Sequence, residues 1–217
     1  MIVNDIVTGI IAVIIAYLLG SFPSAYIITR LATGKDIRQL GGGNAGARNV
    51  FHEVGLWAAI IVGVFDVGKG AAAVAIASWL LGAPQLFVLA AGLAAVAGHM
   101  WPIYLKFTGG NGLATTLGVL SVLMTRELLI VIALILVFIV ITRNPVLSVN
   151  ISLLSVPVLA WFLEEPWLLY VTFSIVLLLI LVLNFLPTFR AALVKAGSKE
   201  NFFNELLRRE KAKKEEM

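Results

Sequence analysis

The sequence predicts an all-α integral membrane protein of seven transmembrane helices, with its N-terminus outside and its C-terminus in the cytoplasm. Three observations carry that prediction. Hydrophobic residues make up 60% of the 217 and charged residues only 13%, with a mean hydropathy of +1.01; a water-soluble fold of this length could not cover so much apolar surface. The apolar residues fall into uncharged runs of membrane-crossing length. The basic residues collect at alternate ends of those runs, as cytoplasmic loops do. Cysteine is absent, which excludes a disulfide framework, a thiolate nucleophile and a cysteine-ligated metal. The two histidines, His52 and His99, stand too far apart to suggest a metal site. No metal and no cofactor is therefore expected, and the chemistry falls to oxygen, nitrogen and backbone groups. The net charge of +4 is read from its placement beside the membrane, not as a nucleic-acid surface.

Residues 6–29 carry no charge, and at about 1.5 Å per residue they cross a hydrocarbon core of roughly 30 Å as one helix. A cleavable signal peptide is the alternative, but Asn4 and Asp5 stand where a basic leader would be. Arg30, Lys35, Asp36 and Arg38 then lead into Gly41-Gly42-Gly43-Asn44-Ala45-Gly46-Ala47-Arg48-Asn49, the longest polar interruption before the C-terminal tail. Glycine lets the backbone take a positive φ and lets a ligand approach the main chain, so successive N–H groups can converge on an anion. Arg48 adds a positive charge, and Asn44 and Asn49 add neutral donors and acceptors. A plain connecting loop is the other reading of such a cluster.

A second span over 54–81 holds Asp66 and Lys69, three residues apart and so on one helical face where they can pair. Charges at membrane depth are costly and usually face a protein interior or a wet cavity. The pair is read either as a self-neutralising lock between helices or as part of a ligand cavity. The third span, 86–104, is rich in alanine and glycine, which allows close packing in lipid. It ends in Gly98-His99-Met100-Trp101-Pro102, followed by Lys106 and a second glycine loop, Gly109-Gly110-Asn111-Gly112. The fourth and fifth spans, 113–124 and 128–142, are short. After Arg143-Asn144-Pro145 a sixth runs to Leu163, kinked by Pro157, and a seventh covers 167–186.

With the N-terminus outside, Arg30, Lys35, Arg38, Arg48, Lys106, Arg143 and the basic residues from Arg190 onward fall on the cytoplasmic side. Asp5, Glu127, Glu164 and Glu165 fall outside, with Arg126 the exception. Both glycine loops and the Arg143 turn then face one compartment and can converge on one site. The chain is divided into a membrane domain, 1–189, and a basic amphipathic tail, 190–217. In that tail Phe202, Phe203, Leu206 and Leu207 beside Arg208 and Arg209 fit either a helix on an anionic leaflet or a solvated segment.

These motifs resemble a known family. Gly-Ser-Phe-Pro-Ser-Ala-Tyr from Gly20, Asp36-Ile37-Arg38, the run from Gly43 to Asn49, Asp66 with Lys69-Gly70, and Gly98-His99-Met100-Trp101-Pro102 followed by Gly109 to Thr115 together resemble the bacterial acyl-phosphate-dependent glycerol-3-phosphate acyltransferases over about residues 11–118. The resemblance implies a seven-helix inner-membrane enzyme with its active site facing the cytoplasm. It would move a fatty acyl group from acyl phosphate to the 1-hydroxyl of glycerol 3-phosphate, making lysophosphatidic acid for phospholipid synthesis. Acyl phosphate is already an activated anhydride, so the site has mainly to hold two phosphate-bearing substrates side by side and offset their charge. The implied partners are those two substrates and membrane lipids, with no nucleic acid.

The chain also departs from the family pattern, which has serine at Gly42, threonine at Arg48, lysine at Thr108 and Asn111, tyrosine at Asn144 and serine at Val146. It is thus a divergent member, in which Arg48 would replace the charge missing at Asn111. The resemblance puts Gly43, Asn44, Gly46, Arg48 and Asn49 at one substrate phosphate. Gly109, Gly110, Asn111, Gly112 and Thr115 form a second cradle, with Lys106 nearby and Asp66 and Lys69 beside the cavity. Asn44 and His99 are the catalytic candidates, His99 either as general base or as a residue that orients the loop. Arg143 either reaches the site or anchors the topology. Two other readings remain: a catalytically degenerate homologue that binds lipid phosphate or a membrane partner, and a small transporter. The latter would need a polar path to the outside.

Overall fold

A computed structural model describes residues 2–196, which are helical apart from short loops and turns. The single helix expected over 6–29 is instead two, α1 (Ile2–Gly20) and α2 (Ser24–Thr33). The cause is Pro23, which has no N–H to give to the helix and whose ring disfavours a helical Phe22. A short 3₁₀ turn (Ile37–Gln39) and the first glycine loop follow, then α3 (Ala47–Glu53) and α4 (Leu56–Ala75), which ends in a wider turn over Ile76–Leu80. Next come α5 (Gln85–Met100), a 3₁₀ turn (Ile103–Leu105), the second glycine loop and α6 (Leu113–Leu123).

The remaining elements are α7 (Thr125–Thr142), α8 (Pro145–Leu153), α9 (Val156–Leu163) and α10 (Trp167–Ala196). The fifth segment is not short: α7 takes in Arg126 and Glu127 and reaches 18 residues. The sixth breaks at Leu154 and Ser155, so Pro157 sits in the first turn of α9, where its missing N–H is no loss. Among the described residues five segments are long and apolar enough to cross a membrane: Val3–Thr33, Leu56–Leu80, Gln85–Leu105, Thr125–Thr142 and Trp167–Asn184. Two shorter apolar stretches, Leu113–Leu123 and Leu147–Leu163, fall where the fourth and sixth spans were expected.

Small residues set the helix packing. Along the contact of α1 with α5, Gly20 lies on the Ala95 carbonyl and Gly98 on the Tyr17 carbonyl. Along that of α4 with α6, Gly70 lies on the Thr115 carbonyl and Gly118 on the Val67 carbonyl. A Cβ at any of the four would enter the neighbouring backbone, so these glycines let the helix axes approach as in other lipid-embedded pairs. Ala12, Ala16, Ala91 and Ala95 complete the seam between α1 and α5, each buried.

By its internal contacts the chain divides after Ile180. Residues 1–180 hold α1 to α9 and the first part of α10; residues 181–217 are described only as the rest of α10, as far as Ala196. The expected amphipathic stretch around Phe202 and Leu206 lies outside the described residues.

Candidate active site

The break between α1 and α2 brings Ser24 to a buried polar cluster whose centre is Asp66. Ser24 Oγ donates to Asp66 Oδ1 at 2.7 Å, and Lys69 Nζ meets the same oxygen at 2.8 Å. His99 Nδ1, from α5, faces it at 3.5 Å. The expected pairing of Asp66 with Lys69 is therefore present, and it extends to two further helices. Lys69 Nζ also donates to the Phe22 carbonyl at 3.1 Å, which accepts from Ser24 N at 3.0 Å as well where Pro23 interrupts the helix. Asp66 is 1% and His99 5% exposed; Ser24, Lys69 and His99, all gathered on Asp66, form the floor of a narrow polar slot lined also by Ser21, Tyr26, Ala45 and Gly109.

The two glycine loops close over this floor and meet each other. Asn44 Nδ2 donates to Asn111 Oδ1 at 2.6 Å, and Ala45 N donates to the Gly109 carbonyl at 3.2 Å. Gly110 N donates to the His99 carbonyl at 3.1 Å. A Cβ at Gly110 would fall on His99 Nε2, and one at Gly109 on the His99 carbonyl. Gly110 is thus demanded by the closeness of the imidazole, and Gly109 by the backbone carbonyls of His99 and Met100. Gly112 takes φ 83° as it opens α6, and Gly43 takes φ 71°, conformations that side chains rarely adopt.

Asn49 bonds the backbone of its own loop. Its Nδ2 lies 3.0 Å from the Leu40 and Asn44 carbonyls and 3.3 Å from that of Ile37, while its Oδ1 accepts from Gly42 N at 3.3 Å. It clamps the first loop from within. Arg38, to which the sequence analysis gave no role, joins that loop to the other. Its guanidinium forks onto Asp36 with Nη2–Oδ2 at 2.7 Å, donates from Nη1 to the Leu105 carbonyl at 2.9 Å, and lies 5.6 Å from the centre of the Tyr26 ring. The hydrogen bond from Arg38 holds the Asp36 carboxyl below its usual value, and Asp36 in turn raises Arg38. Ser24 was likewise missed, though a serine directly after a helix-breaking proline and the Asp-x-Arg spacing were the available signals.

The other predicted residues lie apart from the floor. Gly46 precedes α3 in extended backbone. Arg48, in the first turn of α3, is exposed and held by no hydrogen bond or ion pair among the described residues. Lys106, at φ 53°, is exposed at the rim. Thr115 is buried at the crossing of α6 with Gly70 of α4. Arg143 caps the end of α7 in the left-handed region and is exposed.

A second hollow, an open apolar groove of about 700 Å³, runs between α1 and α4. Ile15, Leu18 and Leu19 line it from α1, and Val64, Phe65 and Ala72 from α4. Phe22 and Lys69 line both hollows, so the groove and the polar slot adjoin at these two residues.

Comparison with known proteins agrees with this architecture. The glycerol-3-phosphate acyltransferase family model matches residues 10–193. Glycerol-3-phosphate acyltransferase 2 of Dehalococcoides mccartyi is 44% identical over 195 residues, 90% of this chain and 92% of that protein. The glycerol-3-phosphate acyltransferase of Endomicrobium trichonymphae is 40% identical over 173 residues, 79% of this chain and 86% of that one. The crystal structure of PlsY (YgiH), an integral membrane glycerol 3-phosphate acyltransferase, in its glycerol 3-phosphate form superposes with a TM-score of 0.76 at 29% identity, covering 86% of this chain and 92% of that one. Its lysophosphatidic acid form gives 0.74 at 27%, with the same coverage. Fold and site together are those of a multi-pass integral membrane protein in which a polar slot opens onto an apolar groove. The chain belongs to the glycerol-3-phosphate acyltransferase family.

Proposed function

We propose that this protein transfers a fatty acyl group from acyl phosphate to the 1-hydroxyl of glycerol 3-phosphate, releasing lysophosphatidic acid and inorganic phosphate at the cytoplasmic face of the inner membrane. The observation that carries the reading is the junction of slot and groove at Lys69 and Phe22. A reaction between a lipid-borne donor and a water-soluble acceptor needs one apolar and one polar approach to the same point.

In the reaction the hydroxyl oxygen attacks the acyl carbon, the bond from that carbon to the phosphate oxygen breaks, and phosphate leaves with the electron pair. His99 lines the slot. In this reading His99 Nε2 takes the hydroxyl proton, with Nδ1 turned toward the Asp66 carboxylate at 3.5 Å. The loops hold the reactants together, which supplies the proximity gain, and their N–H groups and nearby cations offset developing charge. Seven crossings with an external N-terminus put Arg30, Lys35, Arg38, Arg48, Lys106 and Arg143 on the side of both glycine loops; this arrangement supports a cytoplasmic site.

Phosphate release by the purified protein in lipid bilayers, given palmitoyl phosphate with and without glycerol 3-phosphate, tests the reading. Release should depend on the acceptor. Arg48 has no hydrogen-bond or ion-pair partner among the described residues and stands beside the joined loops, so Arg48→Ala should raise the KM for glycerol 3-phosphate about tenfold, the worth of a hydrogen bond to a charged group. Acceptor-independent release, or none from folded protein, would overturn the reading.

A further inference from the structure

We infer that Lys69 is the cation that receives the phosphoryl group of the lipid-borne donor, with Asp66 as the positioning residue that holds it there. The inference rests on the proposed acyl transfer but assigns the two substrates to different cations. Lys69 is the one charged side chain, among the described residues, that lines either hollow, and it lines both. A lipid whose tail lies in the groove brings its headgroup to that point.

The ammonium also has the valence for it. Its three N–H groups meet Asp66 Oδ1 at 2.8 Å and the Phe22 carbonyl at 3.1 Å, which leaves one donor for a third oxygen. The neighbouring donors stand off the two hollows. Arg38 gives three of its five N–H groups to Asp36 and Leu105 and Asn44 one of its two to Asn111, and neither residue lines the slot or the groove. The amide of Asn49 is spent on backbone carbonyls. Arg48 and Lys106 are exposed, a placement suited to an acceptor that arrives from water. A free lysine in an apolar wall would extend toward water; the Asp66 carboxylate, itself tied to Ser24, keeps Nζ at the junction. The same carboxylate limits the attraction for an anion, so the expected effect is about tenfold and not a thousandfold.

The test is equilibrium binding to the full-length protein in nanodiscs, with two separate probes: hexadecylphosphonate, a lipid anion without the labile anhydride, and glycerol 3-phosphate. Lys69→Met, which keeps the apolar stem, should weaken the phosphonate about tenfold and leave glycerol 3-phosphate within about twofold. Lys69→Arg should restore most of the loss. Because Lys69→Met strands a buried carboxylate, the double variant Asp66→Asn/Lys69→Met serves where the single one does not fold, with the same expected split. Unchanged phosphonate affinity, equal loss of both probes, or no phosphonate binding by the unaltered protein would each overturn the inference. Binding does not require turnover. A protein that shows the split yet releases no phosphate would therefore sink the acyl-transfer reading and leave the Lys69 assignment standing.

Discussion

Asn49→Leu separates two roles for the same residue. The sequence motif places Asn49 at a substrate phosphate; the structure gives its amide to the loop. Leucine keeps the volume and removes the two N–H donors and the carbonyl acceptor without adding charge. Four backbone groups then lose a partner: the Ile37, Leu40 and Asn44 carbonyls and Gly42 N. Two N–H groups cannot fill three acceptors fully, and the loop is half-exposed, so water recovers part of the loss. Counting two full hydrogen bonds at about 1 kcal/mol each gives about 2 kcal/mol against the closed loop. By population, that is about thirtyfold more frequent opening. Amide hydrogen exchange over residues 41–47 should accelerate by about that factor, with kcat falling as the loop spends less time closed over the floor. A rise in the KM for glycerol 3-phosphate with exchange unchanged would refute the clamp and make Asn49 a phosphate ligand.

Two further predictions follow from the groove and from the charged loops. Gly68 lines the groove, and a Cβ added there meets nothing within 4 Å; Gly68→Leu should fold normally and raise the KM for long-chain acyl phosphate about tenfold, with little effect on a short-chain donor. The stability contributed by the Asp36–Arg38 pair is fully present above pH 3.8, the ordinary carboxyl value, and is lost as pH falls through the lowered folded value. Glu164 runs the other way: burial first, then the nearby Glu127 charge, raises it above 4.5, so its contribution is present below pH 4.5 and lost as pH rises through the raised value. Melting curves from pH 3 to 7 should show Asp36→Asn below and Glu164→Gln above the unaltered protein at neutral pH, by a few degrees each, with both differences shrinking toward acid.

The helices and the meeting of the two loops were legible because each rests on a local pattern. Apolar run length marks spans, clustered glycine marks backbone that must bend or be approached, and alternate basic loops place both clusters on one side. The break at Pro23 was written in one residue, but hydropathy alone read through it, since Ser21 and Ser24 are uncharged. The site's floor was only partly legible. Asp66 with Lys69 is a spacing of three and can be read off a helix. Asp66 with Ser24 and His99 joins three segments far apart in the chain, and no local period encodes that. The hold of Asn49 on its own loop and of Arg38 on Leu105 was hidden for a further reason: the acceptors there are backbone carbonyls, which every residue carries and no sequence pattern marks.

Among the described residues, the groove between α1 and α4 has no wall on the side where Ile14, Leu18, Val64 and Phe65 stand exposed. For the proposed reaction this fixes the kind of concentration that matters. Donor and product exchange sideways with the bilayer, so turnover follows the mole fraction of acyl phosphate among the surrounding lipids and is indifferent to its amount per litre of buffer. The soluble partner obeys ordinary molarity. Diluting the membrane with inert lipid should slow the protein as surely as withholding glycerol 3-phosphate, whereas doubling the buffer at fixed glycerol 3-phosphate concentration should leave it unchanged.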